Sequence, residues 1–406
     1  MSGRPHIGIA GAGPAGIMAA LEASRLGARV TLFDTNAVVG RKILVTGNGR
    51  CNITNACAAP EKYVCADREF LRAAFDRFGH AQTVARLHEL GVLTYATPDG
   101  WCYPLSESAA TVAETLAAAL DAAGVELRLQ TSIAGIRADK GGIALSIGGG
   151  PHVETFDRVV VACGGKAYPA LGSTGSLFPA LERLGHTIAP IHPALAPLTA
   201  DVKRFHKLQG VRLDAGLTLS EGERVLGRAA GNVMFTQTGF SGPAAMDLSH
   251  LVSARPGADL TLSIDLLHFH RAALEDLIAR KRRDAMPVRA ILGAVLPEKI
   301  PPVALGLAKI SSDARMSDVS DAERARVMDT LTHLTAKVTG TRGFQFAQVS
   351  TGGIPVSEVD PQTMASRIVP GLHFAGEVMD VIGPCGGYNL QWAWTSGAVA
   401  GAGATN

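Results

Sequence analysis

Charge and aromatic side chains are what this 406-residue chain holds least of: 18% of its residues are charged and 5% aromatic. Lys and Arg number 38 against 36 Asp and Glu, a net of +2, so the chain as a whole implies no polyelectrolyte partner. No apolar run reaches the roughly 18 residues that a membrane-spanning helix needs, and no membrane contact is expected. The six cysteines form no CxxC pair, which argues against a structural zinc site; no metal is expected. Scattered thiols in a long chain fit a reducing compartment. Met1 to His6 lead straight into an apolar stretch with no h-region, so a signal peptide is not expected and a cytoplasmic location is. There is no internal repeat, and no low-complexity segment beyond Gly148-Gly149-Gly150. At 47% hydrophobic the composition is ordinary and globular, and the length is too great for one core.

What the chain does have is a strong opening. Ile7-Gly8-Ile9-Ala10 reads as a strand, Gly11-Ala12-Gly13-Pro14-Ala15-Gly16 as a tight turn, and Ile17 to Leu26 as a helix stopped by Gly27. Ala28 to Phe33 is a second strand ending at Asp34. This is the GxGxxG dinucleotide fingerprint in its required context of strand, turn, helix, strand and acid. Gly11 permits the turn, Gly13 clears space for a pyrophosphate, and Gly16 allows helix and strand to pack closely. The helix N-terminus offers N–H groups and partial positive charge to the diphosphate. Asp34 is placed to accept from a ribose hydroxyl.

Further along, Gly40 to Asn55 carries Arg41, Lys42, Gly47, Asn48, Gly49, Arg50, Cys51 and Asn52. Either this loop brings backbone N–H groups and cations to the cofactor, or it is a polar surface loop; its place after the second strand favours the first. Residues 67–124 read as helical, with Gly100 to Pro104 a turn or strand end, and short strands are expected at 125–129, 133–136 and 143–147. Val159-Val160-Val161-Ala162-Cys163-Gly164-Gly165 is a buried strand whose exit passes close to a ligand. From about residue 191 the character changes. We expect an inserted domain over 191–344, β-rich over 191–265 and helical over 266–344, with residues 1–190 and 345–406 forming one cofactor-binding domain. The insert holds 20 Lys and Arg against 16 Asp and Glu. Its run Arg280-Lys281-Arg282-Arg283 is read as a solvated helix face, with phosphate binding as the alternative. In the last segment Ala375-Gly376-Glu377 ends a strand, and Pro384-Cys385-Gly386-Gly387-Tyr388-Asn389-Leu390 opens the final helix. That helix N-terminus can stabilise negative charge on a reduced ring.

These motifs resemble those of the glutathione-reductase-like, two-dinucleotide-domain flavoproteins. The residues from Val159 to Gly165 look like the second FAD motif, with Cys163 where threonine is common, and Ala375-Gly376-Glu377 looks like the third, with Glu377 where aspartate is common. Asp34 stands where glutamate is common. Nearer still, the chain resembles the BaiN/RdsA-like (YhiN-like, aminoacetone-oxidase-type) flavoproteins. The stretches that carry this are Gly47 to Asn55, Gly172 to Gly175, Phe235 to Pro243 and Gly386 to Ala393. The resemblance implies an α/β fold with a Rossmann-like FAD domain and an inserted β plus α domain. It implies FAD held by the fingerprint residues, Asp34, the loop from Arg41 to Asn52, Ile133, Cys163 to Gly165, Gly376, Glu377 and Gly386 to Leu390. Members of this family are linked to dihydrouridine formation in ribosomal RNA and to reduction of bile-acid or steroid rings.

The reading that follows is an FAD-dependent oxidoreductase that reduces an activated C=C bond, with uridine in ribosomal RNA as candidate substrate. NAD(P)H or another donor would visit transiently, since the chain has one fingerprint and no second copy. Hydride comes from the flavin and a proton from the protein. The candidate acids are Cys51, Tyr388 and Glu377, with Cys51 preferred because a neighbouring cation, Arg50, is expected to lower its pKa. The competing expectation is that Cys51 is a small packing residue. A flavin oxidase or dehydrogenase of a small amine, bile acid or steroid is the main alternative. A dithiol–disulfide reductase using Cys51 and Cys57, or a flavin-binding protein without catalysis, ranks below it.

Overall fold

The apolar stretches around the glycine turn form the middle of a parallel sheet. A computed structural model describes residues 4–139 and 141–406. They divide into two units, one of residues up to His192 together with Gln348–Asn406, the other of Pro193–Ala347. In the first unit the strands of this sheet are β1 (His6–Ala10), β2 (Arg29–Phe33), β3 (Glu126–Arg128), β4 (Arg158–Val161) and β5 (Leu372–Phe374). Their order is β5-β4-β1-β2-β3, all parallel. Ile7, Ile9, Val159, Val160 and Val161 are fully buried, because helices and loops cover both faces of such a sheet. The chain leaves β1 in one direction to β2 and β3, then returns on its other side to β4 and β5. The strand order reverses between β1 and β4, and there the carboxyl ends of the strands leave a crevice.

Two helices frame that crevice, α1 (Pro14–Arg25) and α2 (Tyr388–Gly403). They pack at backbone contact because the residues between them are small. A Cβ on Gly397 would stand 2.3 Å from the Ala15 carbonyl oxygen, and one on Gly401 2.3 Å from that of Ala19. Each pair is four residues apart on its own helix, so one face of each is used, and the numbers rise together, so the helices run parallel. Ala15 is the second residue of α1 and Gly397 the tenth of α2. At the α-helical rise, α2 therefore begins roughly 12 Å further out than α1.

The second unit is a closed six-stranded antiparallel barrel with helices. Its strands are Leu198–Ala200, Gly239–Ser241, Arg224–Thr236, Arg212–Glu221, Leu260–Asp265 and Leu334–Thr341, in that order around the wall. Phe205, Phe235 and Phe240 pack in its core with ring centroids 5.4 to 6.2 Å apart. One expectation is corrected here. Residues 266–344 are not helical throughout, since Leu334–Thr341 is the strand that closes the barrel. Leu334, Ala336 and Val338 are buried and Thr335, Lys337 and Thr339 exposed, the period of two of a half-buried strand. The signal is short and directly follows the helix Asp321–Thr332, which hides it.

Candidate active site

The three fingerprint glycines serve different needs. A Cβ on Gly11, at φ +111, would lie 2.5 Å from the Ala162 carbonyl oxygen. One on Gly16 would lie 1.8 Å from the Gly11 carbonyl oxygen. Both are packing glycines. Gly13 is different: its φ of −77 suits any residue, and no atom stands within 4 Å of where its Cβ would be. Neither the backbone nor the protein neighbours require glycine there, so the open space itself is the feature. It lies at the N-cap of α1, which no side chain caps. A cradle that a side chain would fill, at a helix N-terminus, fits a diphosphate.

Asp34 organises this turn. Its Oδ2 accepts from the Ala12 N–H at 2.7 Å, and its Oδ1 accepts from the Asn36 N–H at 2.7 Å and the Asn36 side chain at 2.8 Å. A carboxylate offers about four acceptor positions, so capacity for one more donor remains. The Asp34 carbonyl accepts from the Thr131 N–H at 2.8 Å, which brings the segment before Ile133 alongside. Ile133 itself is buried in a three-stranded antiparallel sheet and contributes bulk, pairing with Ile147.

The loop after β2 divides its labour. Ala12 accepts from the Gly40 N–H at 2.8 Å, so the loop starts on the fingerprint turn. Lys42 Nζ pairs with Glu377 Oε2 at 2.6 Å, both partly buried, and ties this loop to the exit of β5. Glu377 Oε1 accepts from the Ser350 N–H at 2.9 Å and the Ser350 hydroxyl at 2.8 Å. Ser350 Oγ in turn accepts from the Lys166 N–H at 3.0 Å, and a Cβ on Gly165 would overlap it at 2.0 Å. Gly164, at φ +75, packs on Ser173, and the Cys163 sulfur lies 3.7 Å from the Gly164 carbonyl oxygen. The exits of β4 and β5 are thus joined through Ser350 and Glu377. Arg41 is exposed. Gly47, Asn48 and Gly49 all take positive φ, the sharp turn that returns the loop to Asn52.

The turn before α2 is held from below. Gly386, at φ +113, faces the Trp101 ring, where a Cβ would come within 3.1 Å. Its carbonyl accepts from Asn55 Nδ2 at 2.8 Å. A Cβ on Gly387 would stand 2.3 Å from the Thr54 carbonyl oxygen. Asn52 supports the same point when its amide oxygen faces the Gly387 N–H, at 3.2 Å. The Asn389 side chain is committed to the Gly383 backbone, accepting at 2.9 Å and donating at 2.8 Å, so only its backbone is available to a cofactor. Leu390 is partly buried against the core.

Of the candidate acids, Cys51 must be corrected. The side chain is fully buried in the core, and burial pushes its thiol up to about 11, the reverse of the lowering expected from Arg50. The Arg50 guanidinium lies over the Tyr103 ring, 4.5 Å from its centroid, and does not act on the thiol. Cys51 is free and buried while Cys57 is exposed, and no disulfide joins the described residues. Both Glu377 oxygens are occupied as acceptors. Tyr388, the first residue of α2, is buried beside Tyr63, whose hydroxyl donates to the Tyr388 carbonyl at 2.7 Å.

Several contributors escape sequence reasoning. Ser350 sits in an unremarkable Val-Ser-Thr-Gly stretch. A buried polar chain fixes the first turns of α2: Thr54 Oγ1 donates to Gln391 Oε1 at 2.5 Å, and Gln391 Nε2 donates to Thr83 at 2.8 Å and Thr395 at 2.9 Å. The glycine spacing of four in α2, Gly397 and Gly401, is the signal that could have found the helix contact. Among the described residues, no cluster of His, Cys, Asp or Glu could hold a metal, and no helix is long and apolar enough to cross a membrane.

Comparison with known proteins extends over the whole chain. The family model described as HI0933-like protein Rossmann domain matches residues 5–403. A 3-dehydro-bile acid delta(4,6)-reductase of Clostridium scindens is 34% identical over 405 residues, 98% of each chain. A ribosomal RNA dihydrouridine synthase of Escherichia coli is 31% identical over 394 residues, 96% of this chain and 95% of that one. Among solved structures, a 3-ketosteroid-delta4-(5alpha)-dehydrogenase of Rhodococcus jostii RHA1 has a TM-score of 0.55 at 16% identity, covering 99% of this chain and 97% of that one. That likeness concerns the fold.

Proposed function

The chain belongs to the HI0933-like protein family, and on that footing we propose that this FAD-dependent oxidoreductase reduces a C=C bond conjugated to a carbonyl, in uridine of ribosomal RNA. One observation carries the reading. Two relatives, each matched over 95% or more of its length, are named for such reductions on unrelated substrates, uridine in ribosomal RNA and a 3-dehydro-bile acid. What they share is an alkene polarised by a carbonyl, and that is the chemistry this scaffold is suited to. The flavin, when bound, supplies the hydride. The protein's own part is to hold and orient. The α1 N-terminus with Gly13 takes the diphosphate, and Asp34 fixes the turn and keeps capacity for a ribose hydroxyl. Lys42, Glu377 and Ser350 knit the exits of β4 and β5, and the N-terminus of α2 offers partial positive charge where a reduced ring gains negative charge. Tyr388 is our candidate for the proton donor because it opens α2, whereas Cys51 is fully buried and both Glu377 oxygens are engaged. We place the reaction in the cytoplasm, with a transient reduced nicotinamide as electron donor.

The bile-acid relative favours a second reading, reduction of a free steroid-like enone. Mass spectrometry of ribosomal RNA from a deletion strain separates the two. A uridine that is two mass units heavier only when the gene is present supports the RNA reading; identical RNA from both strains contradicts it and leaves the small-molecule enone.

A further inference from the structure

The basic run Arg280 to Arg283 reads in sequence as a solvated helix face, with phosphate binding as the alternative, and in the structure its charge is largely spent locally. Arg280 pairs with Asp276 at 2.7 Å, Lys281 with Asp284 at 2.9 Å, and Arg282 with Asp321. A different segment of the same unit keeps its charge available. In Lys203–Leu208, Phe205 and Leu208 are buried in the barrel core, so their neighbours Lys203, Arg204 and Lys207 are turned outward and exposed. The Lys299 ammonium joins them from another helix start, 3.5 Å from the Gln209 carbonyl oxygen. Arg212, exposed at the start of the following strand, extends the patch. None of these five cations has a carboxylate within 4.0 Å among the described residues, in contrast to the neutralised run. Of the acids nearby, Asp201 accepts from the Lys203 backbone N–H and Asp214 from the Asn232 side chain; Glu298, next to Lys299 in sequence, is exposed.

We propose that this patch, Lys203, Arg204, Lys207, Arg212 and Lys299, is the surface by which the protein grips the phosphate backbone of its RNA substrate. The proposal rests on the RNA reading above. Three features favour RNA. The cations are unpaired, they belong to separate segments fixed by a rigid core, and they are long side chains of the kind that neutralise phosphates without reading sequence.

The test is equilibrium binding of the FAD-loaded protein to a transcript of unmodified ribosomal RNA, followed by fluorescence anisotropy over a series of salt concentrations. The triple variant Lys203→Glu, Arg204→Glu, Lys207→Glu is compared with Arg280→Glu, Arg282→Glu. Flavin content and absorbance verify that each variant is folded. The patch variant is expected to bind at least about tenfold more weakly near 0.1 M salt. Its slope of log affinity against log salt should be shallower by about 2 to 3. The control is expected to keep nearly the wild-type slope. Wild-type binding and slope in the patch variant would overturn the proposal while leaving the RNA reading intact. Failure of the wild-type protein to bind the transcript, together with unaltered uridine in the deletion strain, would overturn both. Equal losses in the two variants would also overturn it, because the effect would then be one of net charge and not of this patch.

Discussion

Asp34 shows how one residue can hold a site before any ligand arrives. Its carboxylate fixes the Ala12 N–H and the Asn36 backbone together, so removing it disturbs the turn as well as any ribose contact. Asp34→Ala should weaken FAD by about 1–3 kcal/mol, the range for hydrogen bonds to a charged group. Unchanged affinity in a flavin titration would remove Asp34 from the site. Cys51 and Tyr388 can be separated in the same way. Cys51→Ala should retain both FAD and turnover, with a stability cost on the order of 1 kcal/mol for a small buried side chain. Tyr388→Phe should retain FAD and its reduction yet slow turnover by about 10²-fold or more. A hundredfold loss in Cys51→Ala would restore the thiol as the acid. His373, buried in β5, donates its Nδ1–H to the Thr363 carbonyl at 3.0 Å. Burial lowers its imidazole to about 4 from 6.5. The unfolded chain binds that proton below pH 6.5 and the folded one does not until near 4. Stability from the neutral ring is therefore complete above 6.5 and is lost as pH falls toward 4, by roughly 3 kcal/mol. His373→Asn should flatten this limb of the acid unfolding curve, and an unchanged slope would discount the assignment. Residue chemistry of this kind was legible at Gly11, Gly13 and Gly16, whose roles follow from spacing. It was not legible at Cys51, because a neighbour in sequence, Arg50, is turned away onto Tyr103 and burial decides the thiol instead.

At the scale of elements, the contact between α1 and α2 sets where the second helix N-terminus stands. It depends on the absence of side chains at Gly397 and Gly401, which lie 2.3 Å short of carbonyl oxygens on α1 for any added Cβ. Gly401→Ala should cost about 1–3 kcal/mol, as overpacking does, and should lower FAD retention because the two helix ends move apart. Thermal unfolding with and without added FAD measures both; a variant as stable and as flavin-loaded as the wild type would show that the contact is slack. The strands of the sheet could be read from sequence because central parallel strands are continuous apolar runs. The barrel strand Leu334–Thr341 could not, since its short alternation directly follows the helix Asp321–Thr332. The polar chain from Thr54 through Gln391 to Thr83 and Thr395 joins residues more than 300 positions apart, and no local pattern announces it.

At the scale of the whole molecule, a cofactor-binding unit built from two separated stretches is accompanied by a barrel unit that carries the proposed RNA-gripping cations. The family match spans both, residues 5–403. On the proposed reading the reduced flavin passes hydride to an alkene conjugated to a carbonyl. The direct measurement is anaerobic rapid mixing of the reduced holoenzyme with such compounds, an unmodified ribosomal RNA transcript in one arm and a 3-oxo-4-ene steroid in the other. The oxidised flavin band is expected to return with at least one of them, in step with a gain of two hydrogens by that compound. A reduced flavin that is reoxidised by oxygen alone, and by neither alkene, would contradict it.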